Sequence, residues 1–450
     1  MNNPLPELDT DILFYQSRKT LPFIHKSKGI FIWDHEGREY IDGSSGAMIC
    51  NIGHGQPRIL EAITRQADQT FFAYRTQFEN EPAIRLATAL TDHARPELDR
   101  VFYVSGGSEA VESAMKLCRQ HLVSTGQGSR HLFISRKPSY HGSTMGALSM
   151  TSYAPLEIPF RPMFKAYPKI PAPTCYRCAY DLTWPDCDLA CARALETTIV
   201  EQGPDSVAGF VVEPVGGAST GALVPPDGYF DLIQETCRKH GVMLILDEVM
   251  TGYGRTGKLY GHEHWDVQPD FIALSKGMGA GYFPLGAVLT RRDIVDPVLQ
   301  SGGFAHGFTS AGNPMACAVG LEVLNITLEQ DLPGNAAARG EELLQGLHDL
   351  AGQHPIIGEV RGKGLLTAIE LVRDRGSKAP FPPGRGVNTL LTDLAFDQGL
   401  IVYPRRPING LRGDHVLVAP PLIVTSQEID MILDRLDKAL GATESRLGLA

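Results

Sequence analysis

Uninterrupted apolar stretches punctuate the middle of the chain: VFYV (101–104), LFI (132–134), GFVV (209–212), VMLIL (242–246), FIAL (271–274) and GAVL (286–289). They do not alternate with polar residues, so both faces of each strand must be covered, as in a parallel sheet between helices. Between them, Val111, Ala114, Met115 and Cys118 fall at helical spacing, as do Leu195 and Ile199. The pattern predicts an α/β fold whose large, mostly parallel sheet lies between helices.

The ends read differently. Leu343, Leu344, Leu347 and Leu350 mark one amphipathic helix. Ile429, Ile432, Leu433 and Leu436 mark another, opened by a Thr425-x-x-Glu428 capping box. Strand-like segments lie between them, GLLTAIELV (364–372) and VLVAPPLIV (416–424). GIFIWDHEGREYIDGS (29–44) predicts a hairpin turning at Glu36-Gly37. A large central domain over 59–328 is therefore expected, with 1–58 and 329–450 forming a smaller α+β domain. No internal repeat or low-complexity tract is visible.

Composition narrows the classes. With 450 residues, 43% of them hydrophobic and 20% charged, the chain has ample material for a core. A formal charge of −10 leaves no basic face for nucleic acid, and Arg405-Arg406 reads as a solvated loop. The start MNNPLPELDTDI lacks a secretory signal, and 416–424 is too short and proline-broken to span a bilayer. A cytoplasmic protein with reduced cysteines and no membrane or nucleic-acid partner is the expectation.

LDEVMTGYGRTGKLYG (246–261) contains Gly252, Gly257 and Lys258 at phosphate-loop spacing. Yet five residues separate the strand end from Gly252, and Leu259 stands where a metal-binding hydroxyl belongs. A glycine-permitted surface turn or interface loop is the better reading.

More chemistry attaches to Asp247, at the carboxyl end of a buried strand, the edge where open α/β sheets bind ligands. A second strand ends in Ser275-Lys276-Gly277. Alone, Asp247 and Lys276 could be an ion pair. Ser105-Gly106-Gly107-Ser108, however, follows another strand and opens a helix, with bare backbone N–H groups suited to an anion. Tyr140-His141-Gly142 supplies an aromatic that could stack on a flat ring. An anion cradle, an aromatic plate, a carboxylate and a lysine describe a pocket for pyridoxal 5′-phosphate (PLP). The aldehyde condenses with a lysine amine, and a carboxylate keeps the ring nitrogen protonated.

Those residues bring a family into view. YIDGSSGAMICNIGHG (40–55), VSGGSEAVESAMK (104–116), YHGSTMGALS (140–149), VVEPVGGASTGALVPPDGYF (211–230), LILDEVMTGYGRTG (244–257), FIALSKGMGAGYFPLGAVL (271–289), HGFTSAGNPMACA (306–318) and VRGKGLLTAIEL (360–371) occur in this order. The chain resembles the class III, ω-type aminotransferases, PLP-dependent enzymes of fold type I. The resemblance implies that Lys276 is the Schiff-base lysine and proton shuttle and that Asp247 holds the pyridinium. It implies that Tyr140 and Val249 flank the ring, and that Gly107 and Ser108, beside Gly106, bind phosphate. His141 and Glu213 would line the cofactor site, and Thr309 would reach the phosphate of a partner subunit's cofactor. A homodimer with shared sites, or a tetramer built from it, follows.

The resemblance also marks departures. Relatives often carry a carboxylate-binding arginine shortly before a Gly-Asp pair; here Arg412 sits closer to the glycine, as clamp or as surface arginine. Met48 stands where amine transaminases often have tryptophan, and Tyr74 lines the substrate entrance or merely packs. Cys175, Cys178, Cys187 and Cys191 have a zinc-like spacing, with simple packing as the alternative. His262 and His264 share a strand face without needing a metal.

The function expected is transfer of an amino group from an amine or ω-amino acid to a keto acid such as pyruvate. A racemase, epimerase or decarboxylase on the same scaffold is the alternative, and a nucleotide-binding module at 252–258 the rival from another class.

Overall fold

The hairpin near the N-terminus forms where its turn residues place it. β1 (Ile24–Lys28), β2 (Phe31–Asp34) and β3 (Glu39–Asp42) pair in antiparallel order. Gly37 turns at φ +82°, and Asp34 Oδ1 accepts the backbone N–H groups of Glu36 and Arg38, each at 2.9 Å. An aspartate that caps its own turn in this way replaces a backbone acceptor, which is why Asp suits the position. The computed structural model describes residues 12–14, 21–405 and 413–449.

The apolar runs in the middle of the chain are the strands of one sheet. β4 (Arg100–Val104), β5 (Leu132–Lys137), β6 (Lys169–Pro171), β7 (Val207–Val212), β8 (Met243–Asp247), β9 (Phe271–Leu274) and β10 (Gly286–Thr290) lie in the order β4-β10-β9-β8-β7-β5-β6. Pairing is parallel from β6 through β9, while β10 runs antiparallel to both β9 and β4. β6, three residues long, has too short an apolar signal to be read in advance.

Alternate residues of these strands serve different layers. Val211 and Ile245 pack with Val111, Ala114, Met115 and Cys118 of helix Gly107–Ser124. Phe210, Val212, Leu244 and Leu246 pack instead with Leu195 and Ile199 of Ala190–Gln202 and Phe230 and Ile233 of Tyr229–His240. Covering both faces is what makes the runs continuous.

Five strands follow. β11 (Ile357–Lys363), β12 (Leu366–Leu371), β14 (Tyr403–Arg405) and β15 (His415–Val418) form an antiparallel sheet in the order β11-β12-β15-β14, and β13 (Leu400–Ile401) pairs in parallel with β3. The first and last parts of the chain thus share a sheet. The run 416–424 is a strand only to Val418, because Pro420 and Pro421 have no N–H for a ladder. Helices Leu332–Gln353 and Ser426–Leu447 bury Leu343, Leu347, Leu350, Ile429, Ile432 and Leu436. The second opens with its capping box: Glu428 N donates to Thr425 Oγ1 at 3.3 Å and Thr425 N to Glu428 Oε2 at 2.8 Å. No helix among the described residues is long and apolar enough to cross a membrane.

This topology fixes the site. β5, β7, β8 and β9 run parallel, and β4, two antiparallel steps from β9, runs with them. The segments beginning at Ser105, Tyr140, Glu213, Glu248 and Ser275 therefore all leave the same edge of the sheet.

Candidate active site

Asp247 is the last residue of β8 and is buried. Its Oδ2 lies 2.8 Å from His141 Nδ1, and its Oδ1 accepts the Val249 N–H at 3.1 Å. Two residues past the end of the adjacent strand β9, Lys276 begins a short 3₁₀ turn with φ +41°. A non-glycine residue held in the left-handed region costs about 1–3 kcal/mol and persists only where the surroundings impose it. The amine of Lys276 is lowered to about 8: burial disfavours its charge most, Asp247 opposes that, and Arg405 adds to it. A lysine so shifted is partly free base near neutrality and ready to attack a carbonyl.

Beside this pair, helix Gly107–Ser124 starts without any side chain capping its first N–H groups. A Cβ on Gly107 would lie 2.7 Å from Val249 Cγ1, so only glycine lets this backbone lie against the second residue after the Asp strand. Ser108 Oγ accepts the Ser143 N–H at 3.0 Å, and Tyr140 Oη is 3.0 Å from Ser143 Oγ. Gly142 has φ +137°, and a Cβ there would meet Ser108 Oγ at 2.5 Å. The loops after β4 and β5 are thereby locked together, with open N–H donors at an 18-residue helix's positive end.

Glu213 follows β7 and is buried. Its Oε1 accepts the Gly217 N–H at 3.0 Å, and burial raises its carboxyl despite the nearby charges of His141 and Arg136.

The family profile described as "Aminotransferase class-III" matches residues 14–440. An uncharacterized aminotransferase of Bacillus subtilis, YodT, is 40% identical over 428 residues, covering 95% of this chain and 96% of that protein. The putrescine–pyruvate aminotransferase of Pseudomonas aeruginosa is 33% identical over 428 residues, 95% of this chain and 92% of its own. The chain belongs to the class III aminotransferases. Among solved structures, an amine transaminase from an uncultivated Pseudomonas species in PLP-bound form superposes with a TM-score of 0.90 at 34% identity, covering 98% of this chain and all of that one. The (S)-enantioselective ω-transaminase of Thermomicrobium roseum gives 0.89 at 37% identity, with 98% and 96% covered. The fold type I architecture is thus established.

PLP is the cofactor expected of a class III aminotransferase, and the residues at the strand edge fit it. The uncapped helix start suits a phosphate, the cradle has no room for a Cβ at Gly107, a buried carboxylate suits a ring cation, and a depressed lysine suits an aldehyde.

Thr309 lies on an exposed turn. Tyr74 is exposed. Met48 is fully buried at φ +55° and packs with Val215, Leu366 and Leu417. Arg412 lies outside the described residues. Arg405, read from sequence as solvated, is instead partly buried on β14, its guanidinium 4.3 Å from the Tyr403 ring centre and bonded to the Tyr403 hydroxyl. β14 is an edge strand, and the charge of Arg405 acts on Lys276 across the fold, a relationship no local pattern encodes.

The glycine segment at 252–258 is neither a phosphate loop nor a surface turn. Gly252 and Gly254 are buried and Gly257 half-buried, and a Cβ on Gly257 would sit 3.2 Å from Ala337 Cα. Within it Arg255, fully buried, donates to Leu365 O, Pro420 O, Ser45 Oγ and Asn51 Oδ1. The glycines permit close packing, and the arginine ties three parts of the chain together. His262 and His264 sit on a short 3₁₀ turn, Gly261–His264, rather than a strand. His262 Nδ1 is 2.9 Å from buried Glu248 Oε1, and His264 Nε2 is 3.1 Å from Thr256 O.

Cys175, Cys178, Cys187 and Cys191 line one small cavity as free thiols. The zinc expectation finds no support there. Thiolates around tetrahedral zinc lie about 3.8 Å apart, whereas among the described residues no three of these sulfurs come within 4.8 Å of one another. Asp42, Cys50 and His54 do converge that closely, but Asp42 Oδ2 and His54 Nε2 already bond each other at 3.0 Å.

Proposed function

We propose that this class III aminotransferase moves an amino group from an amine or ω-amino acid to a keto acid such as pyruvate. The observation that carries the reading is the pairing of Lys276, depressed to about 8, with buried Asp247 at adjacent strand ends. PLP, when bound, supplies an electron sink for the substrate carbon. Lys276 would hold the cofactor through its amine and serve as the base that moves a proton at Nζ, and Asp247 would keep the ring nitrogen a cation. Gly106, Gly107 and Ser108 would hold the phosphate through N–H groups and a hydroxyl, with Tyr140 and Val249 as the residues to flank the ring. The named activity of the Pseudomonas aeruginosa relative, putrescine to pyruvate, supports an amine donor.

Arg405 is the carboxylate-binding group in this reading. Its charge acts on Lys276, and among the described residues it has no carboxylate partner. A stacked guanidinium, held but unneutralised, suits a keto acid's carboxylate.

The enzyme works as a homodimer in the cytoplasm, with 59–328 as its cofactor-binding domain. Support for the dimer is the aromatic set Phe71, Phe72, Tyr74 and Phe78, between 43% and 67% exposed on one short segment. So much apolar surface in one place marks an interface. Thr309, exposed in the single chain, then completes the partner's phosphate site.

The test is a donor screen with pyruvate and 2-oxoglutarate as acceptors, alongside Lys276→Ala. Amine consumption that requires a keto acid and disappears in the variant is expected. Turnover without any keto acid would assign a racemase, epimerase or decarboxylase instead.

A further inference from the structure

Behind Asp247 lies a group of buried polar atoms whose hydrogen-bonding capacity is unused. Arg136, on β5, is fully buried; its Nη2 donates to the backbone oxygen of Glu213 at 2.7 Å and lies 3.6 Å from Glu213 Oε2. Arg136 Nε and Nη1, Glu213 Oε2 and His141 Nε2 have no hydrogen-bond partner among the described residues. These groups are neighbours. His141 and Arg136 are the charges that act most strongly on Glu213, followed by Asp247, and Arg136 is likewise the charge nearest Tyr229 in effect. Because His141 Nδ1 is on Asp247, its other nitrogen faces away from that carboxylate.

An unsatisfied buried donor or acceptor costs about 1–3 kcal/mol, and a water bridging several of them relieves that cost. The set contains donors (Arg136), an acceptor (Glu213 Oε2) and a nitrogen that can be either. Arg136 and Glu213 are opposite in charge, so a water held between them would be oriented by both, with a proton left for His141 Nε2. That nitrogen then accepts, which leaves the imidazole proton on Nδ1, directed at Asp247. Asp247 receives that hydrogen bond and the Val249 N–H together, one on each carboxylate oxygen.

We infer that Arg136 is a positioning residue for Asp247, acting through Glu213, an ordered water and the tautomer of His141. The inference rests on the role proposed for Asp247 toward the cofactor ring. Nothing in the sequence singled out Arg136, which follows the apolar run LFI by two positions.

The experiment is ¹⁵N spectroscopy of histidine-labelled holoenzyme and cofactor-free protein, with His141→Gln for assignment, together with the rate of cofactor release. In the unaltered protein His141 shows a protonated Nδ1 and a hydrogen-bonded, unprotonated Nε2. Arg136→Met and Glu213→Gln mix the two tautomers and release cofactor about tenfold faster or more, the scale seen when a ligand's supporting partner is removed. Arg136→Lys restores both readouts in part. Folded variants with unaltered His141 signals and release rate overturn the inference, as does a wild-type proton on Nε2. If Arg136→Met does not fold, Glu213→Gln decides alone, since the Arg136 bond to the backbone at 213 survives it. Unchanged cofactor retention in Asp247→Asn would instead defeat the role of Asp247, whatever the state of His141.

Discussion

A methyl group on Gly107 would sit 2.7 Å from Cγ1 of Val249. The cradle and the Asp strand are therefore in direct contact, and neither can move without the other. Gly107→Ala is expected to fold but to push the cradle off Val249. Overpacking of this kind costs about 1–3 kcal/mol, which lowers cofactor affinity by roughly five- to a hundredfold. Val249→Ala in the same chain makes room and restores much of the loss. Equilibrium cofactor titration of both variants checks this; an unaffected single variant would remove the contact from the site.

Lys276 and Asp247 make a second expectation. In cofactor-free protein, acylation of Lys276 followed by mass spectrometry gives a reactivity midpoint near 8 rather than the usual 10.5. Burial lowers the amine and Asp247 raises it, so Asp247→Asn moves the midpoint further down. A midpoint above 10, or an upward move in the variant, contradicts the site geometry.

Much of this arrangement was readable in advance because parallel strands announce themselves. Their buried faces demand continuous apolar runs, and the residue after each run falls at the edge where ligands bind. Asp247, Lys276, Gly107 and Tyr140 were found that way. Arg405 and Arg136 were not. Arg405 acts on Lys276 from β14, on another sheet, and Arg136 is a charge inside a strand, where composition argues only for exposure. Arg255 was hidden for a related reason: the glycines around it suggested a turn, and only tertiary contacts reveal a buried tie. Local patterns report burial and chain direction; they do not report which distant backbone satisfies a buried cation.

Arg405 carries the third expectation. Arg405→Leu removes a charged hydrogen-bonding partner of a carboxylate, an effect of about 1.5–3 kcal/mol. The KM for pyruvate then rises roughly ten- to a hundredfold, while half-reaction rates with an amine lacking a carboxylate stay near those of the parent. Steady-state kinetics with both substrates separates the cases. Equal losses for acceptor and amine would assign Arg405 to packing on Tyr403.

His354 sets the last expectation, on stability. Its Nδ1 is 2.9 Å from Glu444 Oε2 and its Nε2 2.7 Å from Asp437 Oδ1, both on helix Ser426–Leu447. Burial works against its charge, but the two carboxylates outweigh that and raise its pKa above 6.5. A folded-state value above the unfolded one means that the clamp stabilises fully below pH 6.5. That contribution is lost as pH climbs through the raised value. Glutamine at 354 lacks the charge at every pH, so His354→Gln should be less stable than the parent at pH 5.5, by about 1–2 kcal/mol. The gap should narrow by pH 8.5. Urea unfolding of both proteins at the two pH values measures it, and a gap that stays constant or widens with pH would mean that His354 binds its carboxylates as a neutral ring.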